Sequence, residues 1–175
     1  MLKNLNVKKK PIKSSKKGVY FAIVIGVIII GLVIAVSYYV DQAKISGQRF
    51  GNNLEQIQSD LKKYVSDYES KLTIWQEGGL TKQEMLQISE NHLMELEKIL
   101  ERYNILVSPQ AFAPSVELFK RSTQAQIESD KFLKEWIETG NNSTKIRSDE
   151  LLQQSFEYET SALASFNMAK KGITP

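Results

Sequence analysis

The 175-residue chain sets 23 Lys and Arg against 20 Asp and Glu, a formal net charge of +3, and holds one histidine and no cysteine. One histidine without a thiol excludes ordinary zinc clusters and Cys–His nucleophilic pairs, and any packed region must hold together without disulfides. Glycine and proline are sparse, at nine and four residues, which favours long helices.

Residues 1–18 read as a basic cytoplasmic arm: Lys3, Lys8, Lys9, Lys10, Lys13, Lys16 and Lys17 occur there without a single Asp or Glu. The next stretch, Val19 to Val40, contains no charged residue. As a helix it would reach roughly 33 Å, enough to cross a hydrocarbon core of about 30 Å, and it is predicted to be a single transmembrane span. Tyr20 at one end and Tyr38 and Tyr39 at the other stand where amphipathic rings prefer to lie, at the two membrane–water boundaries. The lysines fix orientation, with the N-terminus inside the cell membrane and everything after residue 40 outside. Topology accounts for these lysines, so no nucleic acid is invoked. Seven of the 23 basic residues precede the span; the 16 that remain face 20 acids, so residues 41–175 carry about −4.

Within the span, Ala22 with Gly26 and Gly31 with Ala35 form small-xxx-small steps that let another membrane helix approach closely. A cleaved secretory signal fits poorly, because its apolar run is usually about 7 to 15 residues long. Lys16-Lys17-Gly18, immediately before the apolar run, resembles the basic-Gly processing site of archaeal pilins and archaellins. That resemblance implies cleavage after Gly18 and a filament subunit.

Residues 41–51 hold two glycines and little periodicity, and read as a juxtamembrane linker or a continuation of the membrane helix. Residues 52–175 are predicted to form an antiparallel, up-down four-helix bundle. A first helix is read from Phe50, Leu54, Ile57, Leu61, Tyr64, Tyr68, Leu72 and Trp75, spaced by threes and fours. Gly78-Gly79 ends it, and Thr81 to Glu84 has the form of a capping box that starts the second. There Met85, Ile88, His92, Leu96, Ile99 and Tyr103 share one stripe, with Leu86, Leu93 and Leu100 beside it. The third helix is predicted over about 115–139 and closes on Gly140-Asn141-Asn142. The fourth begins at Ser143 or Ser148 and ends at Lys171, with Leu151 or Leu152, Ser155, Phe156, Tyr158, Ala162, Leu163, Phe166 and Ala169 facing inward. The short connections make neighbouring helices antiparallel.

The search for chemistry returns little. A di-iron bundle needs two Glu-x-x-His pairs, whereas Ser89 stands where the glutamate of the lone His92 would be. No phosphate-binding glycine loop or nucleophile elbow occurs, and no cofactor, metal or catalytic residue is expected. The acids at 128 and 130 and at 157 and 159 read as solvated helix faces. His92 and Asp130, however, fall in phase with apolar stripes on different helices, and are expected to meet as a buried polar pair that fixes register, or as a small polar pocket. Asn141 and Asn142, followed by Ser143 and Thr144, form two overlapping glycosylation acceptors in a loop predicted to lie outside.

No motif carries residues across from a known family. The function expected is that of a membrane-anchored structural or binding module, an accessory subunit whose partners are the bilayer and other membrane proteins, with homo-oligomers open. The alternatives are a ligand-sensing bundle resembling those of chemoreceptors, working through a partner, and the pilin-like filament subunit.

Overall fold

The computed structural model describes the backbone of residues 16–172 and the side chains of residues 46–172. It is all-helical, with no strand among the described residues. Helix α1 spans Lys16–Gln76, α2 Lys82–Ile105, α3 Ala113–Thr139 and α4 Asn142–Lys170, and a 3-10 turn at Gln110–Phe112 leads into α3. The chain divides into two compact units at Ser46 and Gly47.

In the first unit the backbone is helical from Lys16 onward, and residues 41–51 are helical too. Among the described residues no helix is long and apolar enough to cross a membrane. The side chains of the expected span, with those of Ala22, Gly26, Gly31 and Ala35, lie outside the described residues, as do residues 1–15 of the basic arm.

The second unit is a four-helix bundle built from the C-terminal part of α1 with α2, α3 and α4. Local signals mark its turns. Gly78 and Gly140 take the left-handed φ values of 82° and 74° that a helix C-terminus favours in glycine. Thr81 and Glu84 form the reciprocal cap of α2: the Glu84 N–H donates to Thr81 Oγ1 at 3.2 Å and the Thr81 N–H to Glu84 Oε2 at 2.8 Å. A proline in its first turn starts α3, two residues earlier than 115, and the Asn141 side chain caps α4 at Asn142.

Cross-helix pairs show that successive helices run antiparallel. Between α1 and α2, Arg102 meets Asp60 at 2.6 Å, while Tyr68 meets Ser89 at 3.0 Å. Lys134 reaches Glu90 from α3 to α2, and nearer the start of α2 Lys82 reaches the Glu138 carbonyl. Between α3 and α4, Ser122 pairs with Ser155 and Ser129 with Ser148, each at 3.2 Å. A step of seven along α3 is thus matched by seven back along α4, the register of two helices meshing at heptad spacing.

Two apolar clusters fill the interior. One gathers Phe50, Leu54, Ile57, Leu96, Ile99 and Phe119 among others; the second holds Tyr68, Met85, Leu133 and Ile137, flanked by Trp75 and Trp136. Phe50 already packs on Phe112 at 5.3 Å between ring centroids, so bundle packing begins before residue 52. Met85, Leu96 and Ile99 are fully buried, and each contributes about 1.5–3 kcal/mol.

The inward row of α4 differs from the expected one. Thr144, Ser148, Leu151, Ser155, Ala162, Ser165 and Ala169 are buried, whereas Phe156 and Leu163 are 54% and 49% exposed. Small side chains on α4, facing Ser115, Ser122 and Ser129 on α3, let the two helices close together and turn the larger residues out.

Candidate functional site

Between the two apolar clusters lies a layer of buried polar side chains, one helix turn apart from each other and drawn from three helices. α2 contributes Ser89 and His92, in the same three-and-four row as Met85, Leu96, Ile99 and Tyr103. α3 contributes Gln126 and Asp130, also inward-facing. α1 contributes Tyr68, which follows Phe50, Leu54 and Ile57 on the core side.

The layer is hydrogen-bonded throughout. His92 Nε2 lies 3.0 Å from Asp130 Oδ2, where an imidazole N–H donates to the carboxylate. The Gln126 amide donates to the same carboxylate, at 3.1 Å to Oδ1 and 3.0 Å to Oδ2. The Tyr68 ring lies flat on the His92 ring, with centroids 4.1 Å apart and planes 5° from parallel. Its hydroxyl meets Ser89 Oγ at 3.0 Å, and Ser89 Oγ in turn donates to the Met85 carbonyl at 2.8 Å. Burial pushes the Tyr68 phenol up to about 12; the Ser89 hydrogen bond opposes this and the nearby Asp130 charge adds to it. The Tyr103 phenol is raised still further by burial, against the hydrogen bond it shares with Thr123.

Chemically this is a satisfied network. His92 contacts a carboxylate and a ring face, and Ser89 spends its hydroxyl on Tyr68 and a backbone carbonyl, so no hydroxyl nucleophile is set against the imidazole. Among the described residues no group of three or more His, Cys, Asp or Glu could hold a metal ion. A recess of about 230 Å³ opens beside His92 between α1 and α2, lined by Tyr64, Asp67, Lys71 and Asn91.

The larger opening lies on another side. A groove of about 720 Å³ separates α1 from α4 and is floored by Ser122, Thr123 and Gln126 of α3. It adjoins a second hollow of about 420 Å³ that shares Glu55 and Gln58 with it and reaches Phe119, Leu163 and Phe166. Gln126 thus joins the buried network to the groove floor.

The structure brings His92 and Asp130 together. Asp130 is buried, unlike Glu128, which pairs with Lys131 at 2.9 Å on the surface, so the acids at 128 and 130 do not share a solvated face. Asn141 and Asn142 are both exposed, and Asn141 Oδ1 accepts from the Ser143 N–H at 3.0 Å and the Ser143 hydroxyl at 2.8 Å. Sequence reasoning did not single out Tyr68, Ser89 and Gln126 as members of the network. Ser89 and Gln126 stand about one turn before His92 and Asp130 on the same faces, a signal that was available; the ring stack of Tyr68 has no counterpart in spacing. No protein-family model, curated protein or solved structure matches the chain.

Proposed function

We propose that this chain is a single-pass membrane-anchored protein whose helical bundle stands outside the cytoplasmic membrane as a non-catalytic binding module, an accessory subunit of a membrane protein assembly. The observation that carries the reading is the charge-free run Val19 to Val40 behind seven lysines, followed by an acidic remainder. Two features of the bundle support it: a polar core layer without a nucleophile, and a long groove with exposed apolar side chains, the kind of surface that marks interaction sites.

Two measurements test it. The chain has no cysteine, so a single cysteine at Asn142 or at Lys10 reports sidedness cleanly. A membrane-impermeant maleimide should label Asn142→Cys and spare Lys10→Cys in intact cells; the reverse pattern refutes the topology. Native and denaturing mass spectrometry of tagged protein, extracted from its own membrane in mild detergent, should recover unlike subunits in fixed ratio. A lone monomer or homo-oligomer refutes the accessory role, and a mature chain starting at Val19 favours the pilin-like subunit instead.

A further inference from the structure

The groove between α1 and α4 has the periodicity of a helix seat. On the α1 side its wall runs through Glu55, Ser59, Lys62, Ser66 and Glu69, at steps of four and three. The α4 wall is Phe156 and Glu159, continued by Leu163 and Phe166 at the same alternation. The floor repeats it again in Phe119, Ser122 or Thr123, and Gln126. Walls and floor repeating every 3.5 residues on average are what a fifth helix meets when its side chains insert as knobs between four neighbours. The α1 wall from Asn52 to Glu69 is about 26 Å long, which suits a helix of about five turns.

The second heptad row of α4 reinforces this. In the C-terminal half of α4, a larger apolar residue stands one position beyond three of the small buried ones: Phe156 after Ser155, Leu163 after Ala162, and Phe166 after Ser165. α4 therefore carries two adjacent seams. The bundle covers the inner one; on the outer one Phe166 still packs on Phe112 at 5.0 Å between ring centroids, while Phe156 and Leu163 remain about half exposed.

Charge selects the occupant. Glu55, Glu69 and Glu159 line the groove against the single cation Lys62, and none of the four takes part in an ion pair among the described residues. A second copy docking through the same face would set these acids against themselves. A basic helix would neutralise them.

We propose that the α1/α4 groove is the docking site for an amphipathic helix of a partner protein, apolar along the stripe that meets Phe156, Leu163 and Phe166 and basic along the flanks that meet Glu55, Glu69 and Glu159. The proposal rests on the binding-module reading and adds where the partner binds and what it looks like. Its mode is helix-in-groove recognition, with anchors at i, i+3, i+4 and i+7.

The test uses the full chain in zwitterionic phosphatidylcholine nanodiscs, with empty nanodiscs as background. The probe is a fluorescent synthetic peptide of about five helical turns, with Leu along one stripe and Lys elsewhere; a scrambled peptide of the same composition and a Leu/Glu peptide of the same pattern are compared. The patterned Lys peptide should bind about tenfold more tightly than the other two. Glu55→Gln/Glu69→Gln/Glu159→Gln should weaken it several-fold and flatten its salt dependence, and Phe156→Ser/Leu163→Ser should weaken it about tenfold. All five positions line the groove and both apolar ones are about half exposed, so the helical circular dichroism of these variants should be unchanged. A control triple on other surfaces, Glu97→Gln/Glu101→Gln/Glu138→Gln, should change binding less than twofold. The proposal is overturned if no peptide binds above empty nanodiscs, if the scrambled or Leu/Glu peptide binds equally well, or if the control triple weakens binding as much as the groove triple. Any of these with subunits still co-purifying removes the groove assignment alone and leaves the accessory role standing.

Discussion

His92 and Asp130 are both buried and hydrogen-bond to each other, and Gln126 also donates to the Asp130 carboxylate. Truncating either one removes the hydrogen bond between them while the remaining side chain stays buried. His92→Ala or Asp130→Ala is therefore expected to cost on the order of 3–5 kcal/mol, whereas replacing both with leucine should be close to neutral. Denaturant titration of the full chain in detergent reads this directly, because both tryptophans, Trp75 and Trp136, meet edge to face at 5.7 Å at one end of the bundle. A loss for His92→Ala/Asp130→Ala equal to the sum of the two single losses would contradict a coupled pair. Tyr68 gives a pH signature. Its phenol sits at about 12 in the fold against an ordinary 10.0, so its neutral form is favoured by folding. That contribution is complete below pH 10 and is lost as pH climbs toward 12. Tyr68→Phe should flatten the alkaline limb of the stability curve over that window; an unchanged limb would mean other groups govern it.

At the scale of the helix, the α3/α4 seam shows both what spacing reveals and what it hides. The inner row of α4 follows heptad alternation, but six of its seven buried members are Thr, Ser or Ala and only Leu151 is large and apolar. Hydropathy ranks Phe156 and Leu163 above their neighbours Ser155 and Ala162, so a reading by apolar content draws the inward face one residue too far round. Helices α2 and α3 were legible because their inward rows are led by Met85, Leu96, Ile99, Phe119 and Leu133. So was the cap at Thr81, where residue chemistry and backbone geometry coincide. Further along the inner row of α4, Ser165 Oγ is buried with no hydrogen-bond partner among the described residues. Removing that hydroxyl should relieve a penalty of about 1–3 kcal/mol, so Ser165→Ala is expected to raise the unfolding midpoint. Ser155→Leu, which inserts bulk into the same seam and removes the Ser122 partner, should lower stability by about 1–3 kcal/mol. Unchanged midpoints for both would argue against a tightly closed seam.

At the scale of the molecule, the sequence pattern separates an apolar N-terminal run from a domain with its own core, and the second unit has what autonomous folding requires. Among the described residues its two apolar clusters run from Phe50 to Phe166, and its turns carry their own caps at Gly78, Thr81, Gly140 and Asn141. A chain of this length buries roughly two thirds of the surface its unfolded form exposes, enough for a stable domain without disulfides. What periodicity could not supply was the gap between α1 and α4, because a groove is defined by residues that fail to meet, and the α1 wall of Glu55, Ser59, Lys62 and Ser66 reads like any solvated helix face. The division at Ser46 and Gly47 leads to a direct expectation. Residues 47–175 expressed alone should keep helical circular dichroism and a cooperative denaturant transition, and Leu96→Ala in that fragment should lower its stability by about 2–5 kcal/mol. The first turns of the fragment would fray, since cutting inside α1 exposes four backbone N–H groups, yet Leu54 and Ile57 lie beyond them and hold α1 to the bundle. A fragment that is helical but melts without cooperativity would show that the residues before Gly47 contribute to the packing of the bundle itself.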